Sequence, residues 1–123
     1  MATHNELGKK GEKLGCKYLI SKGYTIKEEN WRNGRFELDI VAENEEYIVF
    51  IEVKTRSNNY FGNPQEFVSE SKVKRIINAA NHYMISNSIE KETRFDIISI
   101  LKTSEENFTI EHIENAFVPA SYY

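Results

Sequence analysis

FELDIVAENEEYIVFIEVKTR, residues 36–56, reads as two apolar strands joined by a short polar loop, ENEE. FELDIVA alternates, and the first half of YIVFIEVKT is apolar on both faces, the mark of a central strand covered on two sides. Four charges interrupt this pattern: Glu37, Asp39, Glu52 and Lys54. Burying charge is costly without compensation, so these groups either reach water or hold something between them. Side chains alternate along a strand, which puts Glu37 and Asp39 on one face and Glu52 and Lys54 on one face of the next strand. An even-numbered loop, with Ala42 opposite Val49 and Glu43 opposite Ile48, sets Asp39 directly opposite Glu52. An odd-numbered loop separates them. Facing residues lie about 4.5 to 5.5 Å apart at Cβ, where like charges repel.

Two readings fit this spacing. In the first, a divalent cation lies between the acids, since oxygen ligands are what Mg²⁺ prefers and Mn²⁺ accepts. Such an ion lowers the pKa of a water it holds, and Lys54 then orients that water or stabilises charge building on a phosphate. In the second, the four charges form a solvent-facing salt ladder worth little energy. An acid, a gap and a lysine recur at Glu70-Ser71-Lys72, without apolar strand context or a facing acid, and there the pattern reads as helix capping and surface charge.

Working outward, Leu7, Leu14, Cys16, Tyr18 and Leu19 predict a first helix from about Asn5 to Lys22, stopped by Gly23. YTIKEENW follows as a strand, and RNGR supplies the turn of a hairpin with FELDIVA. RSNNYFGNPQEF reads as a long loop, a common place for function. Ser69 or Ser71 caps a second helix running to about Ser86, with Val73, Ile76, Ile77, Ala80 and Met84 inward. TRFDIISIL and FTIEHI are two further strands, and the tail ENAFVPASYY stays unassigned. The order α-β-β-β-α-β-β predicts an α/β fold, one mixed sheet of about five strands flanked by helices, in a single domain spanning residues 1–123.

The chain of 123 residues suits one core, and its net charge of −3 excludes a generally basic nucleic-acid coat. Any nucleic-acid contact must be local. Basic residues gather at Lys9, Lys10, Lys13 and Lys17, at Arg32 and Arg35, and at Lys72, Lys74 and Arg75, where solvated surface is the plain alternative. No apolar run approaches the roughly 18 residues of a membrane helix, and the start lacks a signal-peptide core, so a cytoplasmic protein with no membrane partner is expected. The single cysteine, Cys16, reads as a small buried hydrophobe.

ELD (37–39) and EVK (52–54), behind a helix carrying GKKGEKLG (8–15), resemble the PD-(D/E)XK nuclease superfamily with its restriction-endonuclease-like fold. A closer resemblance is to the YraN-like family of bacterial proteins. It rests on Gly8, Gly11 and Glu12; Asn30 and Arg32; Glu37 and Asp39; Glu52, Lys54, Thr55 and Arg56; Phe61, Gly62, Pro64 and Glu66; and Lys72. RFDIISI and IEHIENAF extend it over nearly the whole chain. Phe36 stands where that family usually has glycine, and Phe67 where it has alanine. The resemblance implies that Asp39 and Glu52 bind Mg²⁺ or Mn²⁺, with the Val53 carbonyl as a third ligand, and that Lys54 is catalytic. It implies that Glu12 projects toward the same place, as in the archaeal Holliday-junction resolvases of that superfamily.

Arg56, Lys72 and Arg75 are the first phosphate candidates because they flank the site in sequence, and Arg32 and Arg35 follow. Tyr60 and Phe61 could stack on unpaired bases or fold back on the core. His82 reads as a surface or satisfied core histidine. Glu37 is either a second acid or structural. The expected function is metal-dependent endonuclease cleavage of DNA, with branched substrates implied by the resolvase likeness and a homodimer suited to cutting two strands. The alternative is a non-catalytic nucleic-acid-binding or protein-interaction module that retains the nuclease fold.

Overall fold

The computed structural model describes residues 4–57 and 68–119. Its elements run α1 (His4–Ser21), β1 (Thr25–Asn33), β2 (Phe36–Glu43), β3 (Tyr47–Ser57), α2 (Glu70–Ser86), β4 (Glu92–Lys102) and β5 (Phe108–Ile113). This is the α/β order expected, with five strands in one sheet ordered β1-β2-β3-β4-β5. The first three strands form an antiparallel meander, β4 runs parallel to β3, and β5 returns antiparallel. A parallel neighbour needs a crossover, and α2 supplies it.

Helices cover both faces, as the apolar run in β3 requires. On one face, Cys16 and Leu19 of α1 pack with Ile40, Val49, Ile51, Val53, Ile98 and Ile100. On the other, Val73, Ile76, Ile77, Ala80 and Tyr83 of α2 pack with Val41, Ile48, Phe50, Phe95 and Ile97. Cys16 is the buried hydrophobe its pattern predicted. Ser69 is the cap of α2: its hydroxyl accepts the Lys72 N–H at 3.1 Å. Gly34, at φ 61, opens the two-residue turn between β1 and β2, a backbone position that glycine takes without strain.

The tail acquires a role. Ala116 N–H donates to Phe95 O at 2.7 Å, and the buried Phe117 ring lies 5.2 Å from that of Phe95. Tyr60, Phe61, Gly62, Pro64, Glu66 and Phe67 lie outside the described residues.

Candidate active site

The site begins where β2 and β3 stop pairing. Their ladder matches Glu43 with Ile48 and Ala42 with Val49, the even-loop register, and ends at Ile40 with Ile51. One step beyond stand Asp39 and Glu52. In place of a main-chain partner, the Val53 N–H donates to Asp39 Oδ2 at 2.9 Å. A strand residue's N–H and C=O leave on the same side of the strand, so the Val53 carbonyl also turns toward β2.

Local backbone explains the opening. Leu38 packs on the α2 side and Ile40, two residues on, packs on the α1 side, so strict alternation fails at Asp39. On β1, the pairs Glu29–Ile40 and Trp31–Leu38 bracket Asn30, whose φ is 50. Asparagine tolerates this left-handed backbone better than most residues. The failed alternation corrects one expectation: Glu37 and Asp39 do not act as a pair on one face. Glu37 is exposed on the hairpin, with Oε1 3.6 Å from Arg32 Nε.

Charge converges on the gap instead. Glu52 is only 5% exposed, and Lys54 Nζ and Lys72 Nζ each lie 3.4 Å from its Oε1. Burial and the charge of Glu52 push the Asp39 carboxyl up to about 7, against the Val53 N–H and Lys72. Glu12 arrives from α1. Its carboxyl is raised by burial and by the charges of Asp39 and Glu29, which a hydrogen bond with Asn30 and the charge of Arg32 oppose. Gly11 permits that approach: a Cβ there would overlap Thr55 Oγ1 on β3 and come within 3.0 Å of Thr55 Cβ.

The structure therefore brings together Asp39, Glu52, Lys54 and the main chain of Val53, with Glu12 on α1 close enough for the Asp39 charge to act on it. Among the described residues no three His, Cys, Asp or Glu side chains form a ready-made metal cage. Mg²⁺ does not need one, because it keeps several waters and is commonly held by one or two carboxylates. Two facing carboxylates and a main-chain carbonyl make an all-oxygen donor set, the chemistry that a hard divalent ion takes.

The basic candidates divide. Arg56 follows Lys54 by two residues on β3, half-buried, and Arg75 lies exposed about one turn past Lys72 on α2. Arg32 and Arg35 sit at the β1–β2 hairpin, exposed. Lys72, a phosphate candidate from the sequence whose Glu70-Ser71-Lys72 context reads as capping and surface charge, turns inward to Glu52, while Glu70 pairs with Lys74 at 3.7 Å. Asn30 was only a motif letter; its signal was a poor strand former within a strand. His82 is neither free surface nor core, since its ring stacks on Phe36 at 4.8 Å.

On the α1 face lies a second charged cluster that sequence reasoning missed. Asp96, fully buried on β4, accepts Arg94 Nε at 2.9 Å and Arg94 Nη2 at 2.8 Å, and the Asn115 N–H at 3.0 Å. His112 Nε2 lies 2.7 Å from its Oδ2, and Arg94 also donates to the Tyr24 hydroxyl at 2.5 Å. Burial pushes Asp96 up, but these bonds outweigh it and hold the carboxyl below its ordinary value.

A profile of the uncharacterised protein family UPF0102 matches residues 11–100, from Gly11 at the Thr55 contact through β3 and into β4. A UPF0102 protein of Flavobacterium psychrophilum is 50% identical over 117 residues, covering 95% of this chain and 98% of its own. One from Phocaeicola vulgatus is 50% identical over 119 residues, 97% and 98% of the two chains. One from Parabacteroides distasonis is 39% identical over 117 residues, 95% and 96%. With the profile spanning the acid pair and both lysines, and likeness extending almost end to end, the chain belongs to the UPF0102, or YraN-like, family.

Proposed function

We propose that the protein is a Mg²⁺- or Mn²⁺-dependent nuclease that hydrolyses phosphodiester bonds in DNA. The observation that carries this reading is the pair of Asp39 and Glu52 at the open end of the β2–β3 ladder, with Lys54 and Lys72 each 3.4 Å from one Glu52 oxygen. Asp39, Glu52 and the Val53 carbonyl would hold the ion. When bound, it would polarise a phosphoryl oxygen and make water a better nucleophile.

The chain's own groups do the rest. Lys54, 22% exposed, reaches both Glu52 and the open gap, where its ammonium stabilises negative charge gathering on phosphorus oxygens. Water forms a new bond to phosphorus, one P–O ester bond breaks, and the leaving oxygen takes a proton. Glu12, its carboxyl raised by burial and by Asp39, orients the attacking water from the α1 side. Lys72 leaves Glu52 for the phosphate as substrate arrives, and Arg56 and Arg75 hold neighbouring phosphates.

A second reading has one observation in its favour: Lys54 and Lys72 neutralise Glu52 without any ion. It makes the protein a non-catalytic binding module on a nuclease fold. Thermal unfolding separates the two. With Mg²⁺ or Mn²⁺ at a hundred times its dissociation constant, wild type should gain about 2.7 kcal/mol over EDTA, and Asp39→Asn should gain nothing. Branched and linear DNA are then assayed for cleavage, with Lys54→Ala expected to bind both metal and DNA but not cut. No metal shift in wild type, even with DNA present, and no cleavage would establish the binding module.

A further inference from the structure

Beside the acid pair, a cavity of about 610 Å³ opens between the β1–β2 hairpin and α2. Three cations, Arg35, Lys72 and Arg75, line it, along with Phe36, His82 and Asn81. Its one acid among the described residues, Glu37, is already matched by Arg32 at 3.6 Å. The rings of Phe36 and His82, which both line the cavity, are stacked on one another with centroids 4.8 Å apart and planes 22° apart. Lys72 joins the cavity to the acids, since its Nζ is 3.4 Å from Glu52 Oε1.

This combination suits a particular ligand. Cations bind phosphate, flat rings bind the face of a base, and an amide such as that of Asn81 can meet a base edge. The volume falls within the range of small-molecule pockets, about 300 to 1,000 Å³. A base inside a duplex has both faces covered by its neighbours and cannot offer one to a side-chain stack.

We propose that this cavity binds an unpaired nucleotide next to the phosphodiester addressed by Asp39 and Glu52, so that the substrate is DNA with an unpaired nucleotide at the cut. The adjacency to a cut rests on the nuclease reading; the nucleotide pocket does not.

The test measures binding by full-length protein in EDTA, using fluorescence anisotropy of a labelled single-stranded oligonucleotide and of its duplex. Wild type should prefer the single strand by about tenfold or more, and His82→Ala should weaken single-strand binding about tenfold while leaving duplex binding unchanged. Arg75→Gln, at an exposed position, should weaken single-strand binding and reduce its salt slope by about one. Equal affinity for both forms would overturn the pocket, as would loss with Arg75→Gln but none with His82→Ala. Should His82→Ala not fold, 2-aminopurine walked along the single strand decides: quenching at some position on wild-type binding supports stacking, and no quenching anywhere overturns it. Single-strand preference with these losses but no metal-dependent cleavage keeps the pocket and removes the nuclease. Cleavage of continuous duplex, indifferent to His82→Ala, keeps the nuclease and removes the pocket.

Discussion

Asp39 and Asp96 stand on β2 and β4 of one sheet, separated by β3, and differ in almost everything but residue type. Asp96 is fully buried, yet Arg94, His112 and the Asn115 N–H surround its two oxygens and hold it ionised. Asp39 has the Val53 N–H and the charge of Lys72 on one side and a facing carboxylate on the other, and its burial and that carboxylate win and favour the proton. A buried acid on its own therefore says little. The informative quantity is whether the protein has supplied the counter-charge or left it to be supplied from outside.

The largest expected effect tests the compensated acid. Asp96→Ala leaves the Arg94 guanidinium, 11% exposed, with the Tyr24 hydroxyl and the exposed Glu114 carboxylate but without its two-point partner, and loss of one member of a buried pair costs about 3 to 5 kcal/mol. Urea denaturation should show that loss with or without Mg²⁺. A change below about 1 kcal/mol would mean that the cluster does not hold β4, β5 and the tail together.

Next in size is the uncompensated acid, which should respond in the opposite direction. The folded pKa of Asp39 lies above its ordinary value, so the folded state binds the extra proton. Stability from this group is therefore present at low pH and lost as pH rises from about 4 to about 7. In EDTA at pH 8, Asp39→Asn should be more stable than wild type by about 2 kcal/mol and should lack that falling limb. Asp96, held low, gives the mirror image, with stability present above the ordinary carboxylate range and lost on acidification. A denaturation series across pH in both variants would separate the limbs; identical profiles would dissolve the contrast.

The smallest effect concerns Glu12. Removing its charge with Glu12→Gln relieves repulsion with Asp39, and because Glu12 is only partly buried the gain in EDTA should be roughly 0.5 kcal/mol or less. The midpoint of the Asp39 limb should move to lower pH while the Asp96 limb stays in place. Movement of both would show that Glu12 acts through α1 packing rather than through charge.

Much of the contrast was readable before any coordinates, for identifiable reasons. Strand alternation left two outcomes, set by the parity of the ENEE loop, and the observed ladder takes the even one, which brings Asp39 toward Glu52. The cap at Ser69 and the end of α2 at Ser86 followed from local chemistry. Glu37 escaped because the break at Asn30 and Asp39 interrupts the very alternation used to place it. Lys72 was legible as a phosphate candidate but its pairing with Glu52 was not, because that reach depends on how α2 crosses the sheet. The Asp96 cluster was illegible for a stronger reason: RFD and EHIEN each read as ordinary strand and turn, and only the β4–β5 pairing of Ile98 with His112 reveals what they share.

The bond from the Val53 amide to Asp39 gives the molecule an internal reporter. An amide hydrogen-bonded to a carboxylate changes its ¹H and ¹⁵N resonance frequencies when that carboxylate gains a proton or a cation. A single cross-peak in a two-dimensional NMR spectrum can therefore be followed through a pH or Mg²⁺ titration, without substrate, label chemistry or turnover. The backbone amide just beyond the end of the β2–β3 ladder thus reads out the occupancy of the gap beside it.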